Sequence, residues 1–208
     1  MIILPSKEKL EELILHQIKN LFLLDEKDSE KIIKSLPNAI KRTEACFERS
    51  QNKYYKLHGS TKFNIYHSGQ YCIFLYFLAR EIYLLNKNET TTSDKIYYLN
   101  KSLNCIDLFY EIEMPNVFHL DHPIGSVLGR ATYGENFTFS QNCTVGNNKG
   151  IFPKLGKNVT MHSGSKILGD STIGDNVTIS ANCYIKDSSI PNDRVVFGES
   201  PNLSIKQK

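Results

Sequence analysis

Apolar residues in the first 110 positions follow the spacing of amphipathic helices. Leucine and isoleucine recur every three or four positions from Leu10 to Leu21, with Lys, Glu and Gln between them. This spacing lines one face of a helix with apolar side chains. A second helix is predicted to begin at Ser29 and to be broken by Pro37, because proline has no backbone N–H to donate.

Two more helices are predicted in the same part of the chain. Residues 66–85 are dense in aromatic and aliphatic side chains, which is typical of the central helix of a bundle. A polar turn over residues 86–94 precedes a last helix over about residues 95–109. Residues 58–62 (HGSTK) predict a loop. No spacing of residues in this part indicates a catalytic site.

The hydrophobic period changes from Tyr133 onward. Apolar residues then fall six positions apart in two runs: Tyr133, Phe139 and Val145, followed by Leu155, Met161, Ile167, Ile173, Ile179 and Ile185. Small or branched residues stand four positions after the first five members of the second run: Val159, Ser165, Ser171, Val177 and Cys183. Neither a helix nor a strand has a period of six. The period therefore predicts a solenoid in which each repeat packs on its neighbours.

One interval interrupts this period. Val145 and Leu155 are ten positions apart, so about four residues within 146–153 (GNNKGIFP) are predicted to leave the coil as a loop. Loops that leave a rigid scaffold often carry the functional residues of a protein.

Composition supports a division of the chain into two parts. Of the 12 glycines among 208 residues, ten lie after residue 110. We therefore predict an α-helical domain over residues 1–110 and a repeat domain over residues 111–208. The formal net charge of +3 gives no electrostatic argument for binding a nucleic acid or a membrane surface.

Three further features bear on the cellular compartment. The apolar start of the chain, MIIL, is too short for a signal peptide. The longest apolar run, over residues 72–79, is well below the roughly 18 residues that a membrane span needs. The five cysteines stand singly, which is typical of reduced core residues and not of a metal site. Together they predict a cytoplasmic protein with no membrane span and no bound metal.

Four segments of the sequence resemble motifs of the hexapeptide acyltransferases, and most closely those of the serine acetyltransferases. They are residues 120–129 (LDHPIGSVLG), 140–146 (SQNCTVG), 163–169 (SGSKILG) and 196–202 (VFGESPN). The last is similar to the Gly-x-Pro turn that closes the coil in this family, with one extra residue. The resemblance implies an α+β fold, in which an N-terminal α-helical domain precedes a left-handed parallel β-helix. It also implies acetyl-CoA as co-substrate and a homotrimer, and leaves open whether two trimers pair.

His122 is the catalytic residue that the resemblance implies, because LDH at residues 120–122 matches the family's catalytic motif. A hydroxyl must lose its proton as it attacks a thioester, and an imidazole can accept that proton at neutral pH. His119 is a weaker candidate because it lies three residues away. His162 is a secondary candidate because it directly follows the inward Met161.

A catalytic imidazole is normally oriented by a carboxylate. In the family that acid lies upstream, and the corresponding place here holds the segment EIEMP. Within it, Glu113 is the predicted orienting residue, with Glu111 as the alternative. Asp121 matches the family's acid that contacts the substrate.

The resemblance also assigns residues to the cofactor. Positions that match coenzyme A contacts in the family are Gly146, Ser163, Gly164, Ala181, Lys186, Ser200 and Pro201. In such a site the pantetheine runs along backbone amides between adjacent coils. A lysine such as Lys186 can meet a phosphate as a point charge.

The predicted loop departs from the serine acetyltransferase pattern. The family has an Arg-His pair before Pro-Lys, where this chain has Ile151 and Phe152. Losing the guanidinium removes a bidentate clamp for a carboxylate, whereas an apolar loop with Phe152 suits the face of a sugar ring. The predicted activity is acetyl transfer to a hydroxyl of a capsular or other surface polysaccharide. The alternatives are serine O-acetylation in cysteine biosynthesis, transfer of a larger acyl group or to an amine, and a trimeric scaffold or binding protein without activity.

Overall fold

The computed structural model describes residues 1–50 and 52–208. The chain divides into two compact units, a helical unit over Met1–Asn104 and a coil unit over Cys105–Lys208. Among the described residues, no helix has the length and apolar character needed to cross a bilayer.

The helical unit contains four helices, a short 3₁₀ helix and a small sheet. In chain order they are β1 (Ile2–Leu4), α1 (Lys7–Leu21), α2 (Glu26–Glu48), the 3₁₀ helix (Lys53–Tyr55), β2 (Lys56–Leu57), β3 (Ser60–Asn64), α3 (Ser68–Leu85) and α4 (Thr91–Asn104). The sheet has the order β1-β3-β2. Helix α3 packs against both α2 and α4 and is buried along most of its length, as the sequence predicts for a central helix.

Helix α2 differs from the prediction at two points. It starts before Ser29, because Asp25 caps it with a reciprocal capping box to Asp28. It also continues through Pro37, so the predicted break is wrong. Pro37 lies on the exposed face, where water can reach the carbonyl of Ile33 that has lost its donor. Packing of the buried face, which includes Leu36, offsets the lost hydrogen bond.

Two other predictions in this unit need correction. Residues 58–62 are not simply a loop, because β2 and β3 form a hairpin whose turn includes Gly59 with a φ of +80°. The last helix spans Thr91–Asn104, so it starts and ends earlier than predicted. The side-chain amide of Asn100 ties this helix to α3 by donating to the Cys72 carbonyl at 3.0 Å.

The coil unit consists of short strands joined by tight corners. They are β4 (Asp107–Leu108), β5 (Phe118–Leu120), β6 (Val127–Leu128), β7 (Phe137–Phe139), β8 (Thr144–Gly146), β9 (Lys154–Leu155), β10 (Thr160–Met161), β11 (Lys166–Leu168), β12 (Thr172–Ile173), β13 (Thr178–Ile179), β14 (Tyr184–Lys186), β15 (Ser189–Ile190), β16 (Arg194–Glu199) and β17 (Asn202–Gln207). The strands stack in parallel on three faces. The first face is β5-β7-β10-β13-β16, the second is β4-β6-β8-β11-β14 and the third is β9-β12-β15.

Strand pairing shows that three hexapeptides make one turn. Met161 pairs with Ile179 and Ile167 pairs with Ile185, so each residue meets its counterpart three repeats further along the chain. The apolar residues spaced by six are all buried, as are the small or branched residues four positions after them. The predicted parallel β-helix is therefore confirmed.

The predicted loop is confirmed by the register of the same strands. Val145 pairs with Ile167, so the chain between these partners exceeds three hexapeptides by the length of the predicted insertion. The extra residues leave the coil between β8 and β9, and Asn148 and Ile151 exchange two backbone hydrogen bonds at their base.

Both ends of the coil unit have specific features. Leu108 already pairs with Leu128, so the coil begins before the predicted boundary at residue 111. At the other end, β16 and β17 form an antiparallel hairpin, and the predicted closing turn at Ser200 and Pro201 connects them. All five cysteines are free, and four are buried as predicted, whereas Cys105 is exposed.

Candidate active site

One edge of the coil, between its first and second faces, repeats the same corner in successive turns. Gly125, Asn142, Gly164 and Asn182 stack there with positive φ values of 56° to 74°. We call this column the open corner. A Cβ on Gly125 would lie 2.2 Å from Oδ1 of Asn142, and one on Gly164 would lie 2.3 Å from Oδ1 of Asn182. The close packing and the positive φ both require glycine at these two positions.

His122 lies on the open corner, in the turn between β5 and β6. Its φ is +48°, and its carbonyl accepts a hydrogen bond from the Ile124 N–H at 2.8 Å. Its side chain is 82% exposed, and Nε2 lies 3.5 Å from Oδ1 of Asp121. The tight turn therefore fixes the backbone of His122, while its imidazole is open to solvent and next to a carboxylate.

Three carboxylates upstream of His122 differ in their surroundings. Glu111 forms an ion pair with Arg130, with 3.2 Å between Oε2 and Nη2. Glu113 is exposed and lies between β4 and β5. Asp107 is half-buried in β4, and its N–H donates to the carbonyl of Ser126 at 2.9 Å, directly after the turn that holds His122.

Sequence reasoning did not consider Asp107. The turn from Leu108 to Leu128 is longer than three hexapeptides, whereas the turn from Leu128 to Val145 is shorter. Because the first turns have irregular lengths, the six-residue period cannot be extended upstream of Tyr133. Asp107 pairs with Val127, the outward residue before the inward Leu128, just as Leu108 pairs with Leu128. A search for an acid before an inward residue one turn earlier could have found Asp107.

Three of the predicted cofactor residues lie on the open corner, in turns that follow the one with His122. Ser163 and Gly164 stand between β10 and β11, and the Ser163 carbonyl accepts from the Asn182 N–H at 2.8 Å, next to Ala181. These small side chains leave the backbone of the corner accessible to a narrow chain such as pantetheine.

The other predicted cofactor residues lie at the far border of the second face. Gly146 and Lys186 occupy one column, because both pair with Leu168. The Lys186 N–H donates to Oγ of Ser200 at 3.0 Å, and Pro201 follows in the hairpin connection. The second face, bordered by these two groups, thus brings together all the predicted cofactor positions.

The two secondary histidines have different surroundings. His162 is exposed on the open corner and directly precedes Ser163. His119 is half-buried in β5, and its Nε2 lies 3.1 Å from Oδ1 of Asn136. Burial lowers the pKa of His119, and the hydrogen bond to Asn136 partly opposes that effect. His119 is therefore committed to a structural contact.

A second edge of the coil, between its third and first faces, carries a continuous ladder of side-chain hydrogen bonds. Asn136 donates from Nδ2 to Oδ1 of Asn158 at 2.9 Å, Asn158 donates to Asn176 at 2.8 Å, and Asn176 donates to Asp193 at 3.0 Å. All four residues have positive φ values, from 55° to 62°. We call this column the ladder corner, and His119 stands at its beginning.

The third edge carries the loop with Phe152. An open groove of about 520 Å³ lies between residues 130–132 and residues 150–154. Phe152 is 41% exposed and Ile151 is 49% exposed in this groove. Arg130, which sequence reasoning also passed over, lines its other side with a side chain that is 65% exposed.

Comparisons with known proteins agree with this architecture. Residues 152–187 match the family model described as bacterial transferase hexapeptide (six repeats). This stretch corresponds to two turns of the coil. No curated protein matches the sequence at a significant level.

Solved structures with the same architecture span nearly the whole chain. Serine acetyltransferase isoform 3 from Entamoeba histolytica, in complex with cysteine, has 23% identity and a TM-score of 0.65, over 97% of this chain and 74% of that one. Serine acetyltransferase from Brucella abortus strain S19 has 21% identity and a TM-score of 0.68, over 96% and 84%. A serine acetyltransferase in complex with CoA has 19% identity and a TM-score of 0.68, over 95% and 83%.

The chain has the serine acetyltransferase fold. At these identities the similarity is one of fold, with the hexapeptide repeats as a shared sequence feature. The loop between β8 and β9 departs from the serine acetyltransferase motif. Ile151 and Phe152 stand where that motif has Arg and His.

Proposed function

We propose that the protein is an acetyl-CoA-dependent O-acetyltransferase in which His122 is the general base. One observation carries this proposal. The exposed imidazole of His122 lies on the same corner of the coil as Ser163, Gly164 and Ala181, the small residues that match cofactor contacts. The serine acetyltransferase of the same fold that is complexed with CoA supports acetyl-CoA as the co-substrate.

The proposed reaction is a direct transfer. His122 takes the proton of the acceptor hydroxyl while the oxygen attacks the carbonyl carbon of the thioester. The tetrahedral intermediate collapses as the C–S bond breaks, and the imidazolium returns its proton to the leaving thiolate of CoA. The intermediate carries an oxyanion, which a backbone N–H or the amide of Asn142 or Asn147 can stabilise. The orienting carboxylate, for which Glu113 and Asp107 are the candidates, stabilises the imidazolium, and Asp121 contacts the acceptor.

The acceptor we propose is a carbohydrate hydroxyl of a surface polysaccharide or its precursor. The exposed Ile151 and Phe152 support it, because a sugar ring packs its apolar face on an aromatic side chain. L-Serine is the second candidate, and the fold comparisons favour it, since all three structures compared are serine acetyltransferases.

A direct assay distinguishes these two acceptors. Purified protein is incubated with acetyl-CoA and either L-serine or oligosaccharides, and the acetylated product is measured by mass spectrometry. Product mass is the better readout because Cys105 is a free, exposed thiol that thiol reagents can reach. We expect acetylated oligosaccharide and little acetylserine, and faster turnover of serine would overturn the carbohydrate assignment. An amine acceptor or a longer acyl-CoA that reacts faster would overturn the O-acetyl assignment itself.

We also propose that the protein works as a homotrimer, as the resemblance implies. Native mass spectrometry should then give about three times the 23.8 kDa mass of the chain. A mass about twice that of the trimer would indicate paired trimers, whereas the mass of a single chain would contradict the proposal. The cytoplasmic location that the sequence favours stays a prediction.

A further inference from the structure

The groove at the third edge of the coil has a rigid wall. Two residues, Lys149 and Gly150, connect Asn148 and Ile151, which exchange backbone hydrogen bonds of 3.0 and 3.1 Å. Lys149 and Gly150 have φ values of +51° and +81°, and a type I′ turn needs positive values at both positions. The turn therefore presents Ile151 in a fixed geometry.

The base of the loop is also tied to the coil. Nδ2 of Asn148 donates to Oδ2 of Asp187 at 2.7 Å, two turns further along the coil. The Thr132 N–H donates to the Pro153 carbonyl at 3.0 Å, and the Leu155 N–H donates to the Thr132 carbonyl at 2.8 Å. Both walls of the groove thus belong to one hydrogen-bonded framework. A ligand would meet a preformed surface and would not have to order a flexible loop.

The lining of the groove combines apolar and cationic side chains. Ile151 and Phe152 supply exposed apolar surface on one wall, and Lys154 supplies a positive charge next to them. Arg130 faces them from the other wall. Arg130 is paired with Glu111 at 3.2 Å, and both members of this pair are accessible to water. An exposed pair of this kind is weak, so an incoming anion can displace it.

We propose that this groove binds a negatively charged sugar unit of the acceptor, an inference that rests on the proposed carbohydrate acceptor. The ring lies on Phe152, and the anionic group lies between Arg130 and Lys154. A guanidinium binds a carboxylate or a phosphate through two parallel hydrogen bonds, and a lysine adds a point charge. A neutral glycan would use only the apolar wall.

The groove and His122 lie on different corners of the coil, at opposite ends of β6. The unit bound in the groove is therefore not the one that is acetylated by the His122 of the same chain. An acceptor that uses both must be an oligomer, or it must extend to a second copy of the chain. Within one chain, the proposed role of the groove is therefore to select the acceptor and not to take part in the chemistry at His122.

Calorimetric titration of the protein without acetyl-CoA tests the proposal. The ligands are a tetramer of galacturonic acid and its carboxyl-reduced, neutral counterpart, with galactose 6-phosphate and galactose as a phosphate arm. We expect the acidic tetramer to bind roughly fivefold more tightly than the neutral one at low salt, and the difference to shrink as salt is added. Preference for galactose 6-phosphate over the acidic tetramer would identify the anion as a phosphate.

Four substitutions and one control locate the binding. Arg130→Gln and Lys154→Gln should abolish the preference for the acidic tetramer, and Phe152→Ala should weaken both tetramers. Glu111→Gln should strengthen binding of the acidic tetramer, because it frees Arg130. Lys157→Gln removes an exposed charge outside the groove and should change nothing.

Several outcomes would overturn the proposal. They are equal affinity for both tetramers, an equal effect of Lys157→Gln and Lys154→Gln, displacement of the tetramer by CoA, and tighter binding of L-serine through Arg130. Because binding is measured without acetyl-CoA, it stands apart from the proposed activity. A protein that binds the acidic tetramer and acetylates no glycan would contradict the proposed function and leave the groove assignment intact.

Discussion

The open corner and the ladder corner have the same backbone and use their side chains in different ways. Both consist of stacked residues with left-handed φ values. At the ladder corner every turn has Asn or Asp, and each side chain is bonded to the next. At the open corner Asn alternates with Gly, so each Asn side chain packs over a glycine. The comparison teaches that one backbone corner can carry either a continuous side-chain ladder or, where glycine alternates with asparagine, closely packed pairs without a ladder.

Replacing His122 on the open corner should have the largest effect on activity. We expect His122→Ala to keep its fold and to lose about 10²- to 10⁴-fold in kcat, because it removes the general base. Circular dichroism and product formation by mass spectrometry measure the two properties. His16→Ala, at an exposed position in α1, is the matched control. A folded His122→Ala protein with full activity would overturn the catalytic assignment, and an unsubstituted protein that acetylates no acceptor would favour a scaffold.

The orienting carboxylate should come next in magnitude. We compare Asp107→Asn, Glu113→Gln and Asp121→Asn, and we expect Asp107→Asn to reduce kcat most, on the order of 10²-fold or more. A half-buried group held in a strand keeps its geometry better than an exposed one. Loss of the oriented imidazolium should also move the pH profile of kcat, which a merely structural change would not do.

The ranking of these three variants decides whether the orienting residue is Glu113, as the sequence suggests, or Asp107, as the structure suggests. A larger loss for Glu113→Gln would support the assignment made from the sequence. A loss confined to KM for Asp121→Asn would support its assignment to the substrate.

The close packing of the open corner can be broken at Gly164. Gly164→Ala places a Cβ at 2.3 Å from Oδ1 of Asn182 on a φ of +73°, and we expect it to cost about 1–3 kcal/mol of unfolding free energy. Gly150→Ala is the control, because it has a φ of +81° and nothing within 4 Å of its new Cβ. Urea unfolding should show the greater loss for Gly164→Ala. Equal losses would mean that the contact with Asn182 is unimportant.

Substitutions at the ladder corner should lower the free energy of unfolding and leave acetyl transfer unchanged. Asn158→Ala removes two hydrogen bonds and puts alanine at a φ of +55°, which should cost about 1–2 kcal/mol. Asn158→Gly tolerates that φ and isolates the contribution of the hydrogen bonds. Unfolding and acetyl transfer are measured on both variants. Lost activity in a stable Asn158→Ala protein would contradict the division of roles between the corners.

The smallest expected effect concerns the histidine at the start of the ladder. Burial lowers the pKa of His119, so the folded protein resists its protonation more than the unfolded chain does. The stability that depends on neutral His119 is therefore present above the unfolded pKa of about 6.5 and is lost as the pH falls below it. His119→Gln keeps a donor toward Asn136 and should flatten the decline of stability between about pH 7 and pH 5. An unchanged slope in urea unfolding would contradict this.

The sequence was most informative where the coil is most regular. From Tyr133 the six-residue period predicts both the fold and the inward residues, because each repeat must bury one side chain against the next turn. The break between Val145 and Leu155 predicts the loop for the same reason. Upstream, turns of unequal length hide Asp107, and tertiary packing overrides the local preference of Pro37 to end a helix.

The candidate site was less predictable than the fold. The position of His122 follows from a local motif, but the groove does not, since Arg130 and Phe152 are distant in sequence and meet only through the stacking of turns. The ladder was also not predicted. Single asparagines in a sequence do not indicate hydrogen bonds between turns until the strand register is known.

The loop is an insertion that leaves the strand pairing of the coil unchanged. Inward residues on either side of it still pair with one another, and the insertion only lengthens the stretch of chain between partners. A chain of this design can exchange the hairpin and its exposed Ile151 and Phe152 for other residues while the turns above and below remain as they are. The side chains that the loop exposes and the stability of the coil can therefore evolve as separate traits, each encoded in its own short stretch of sequence.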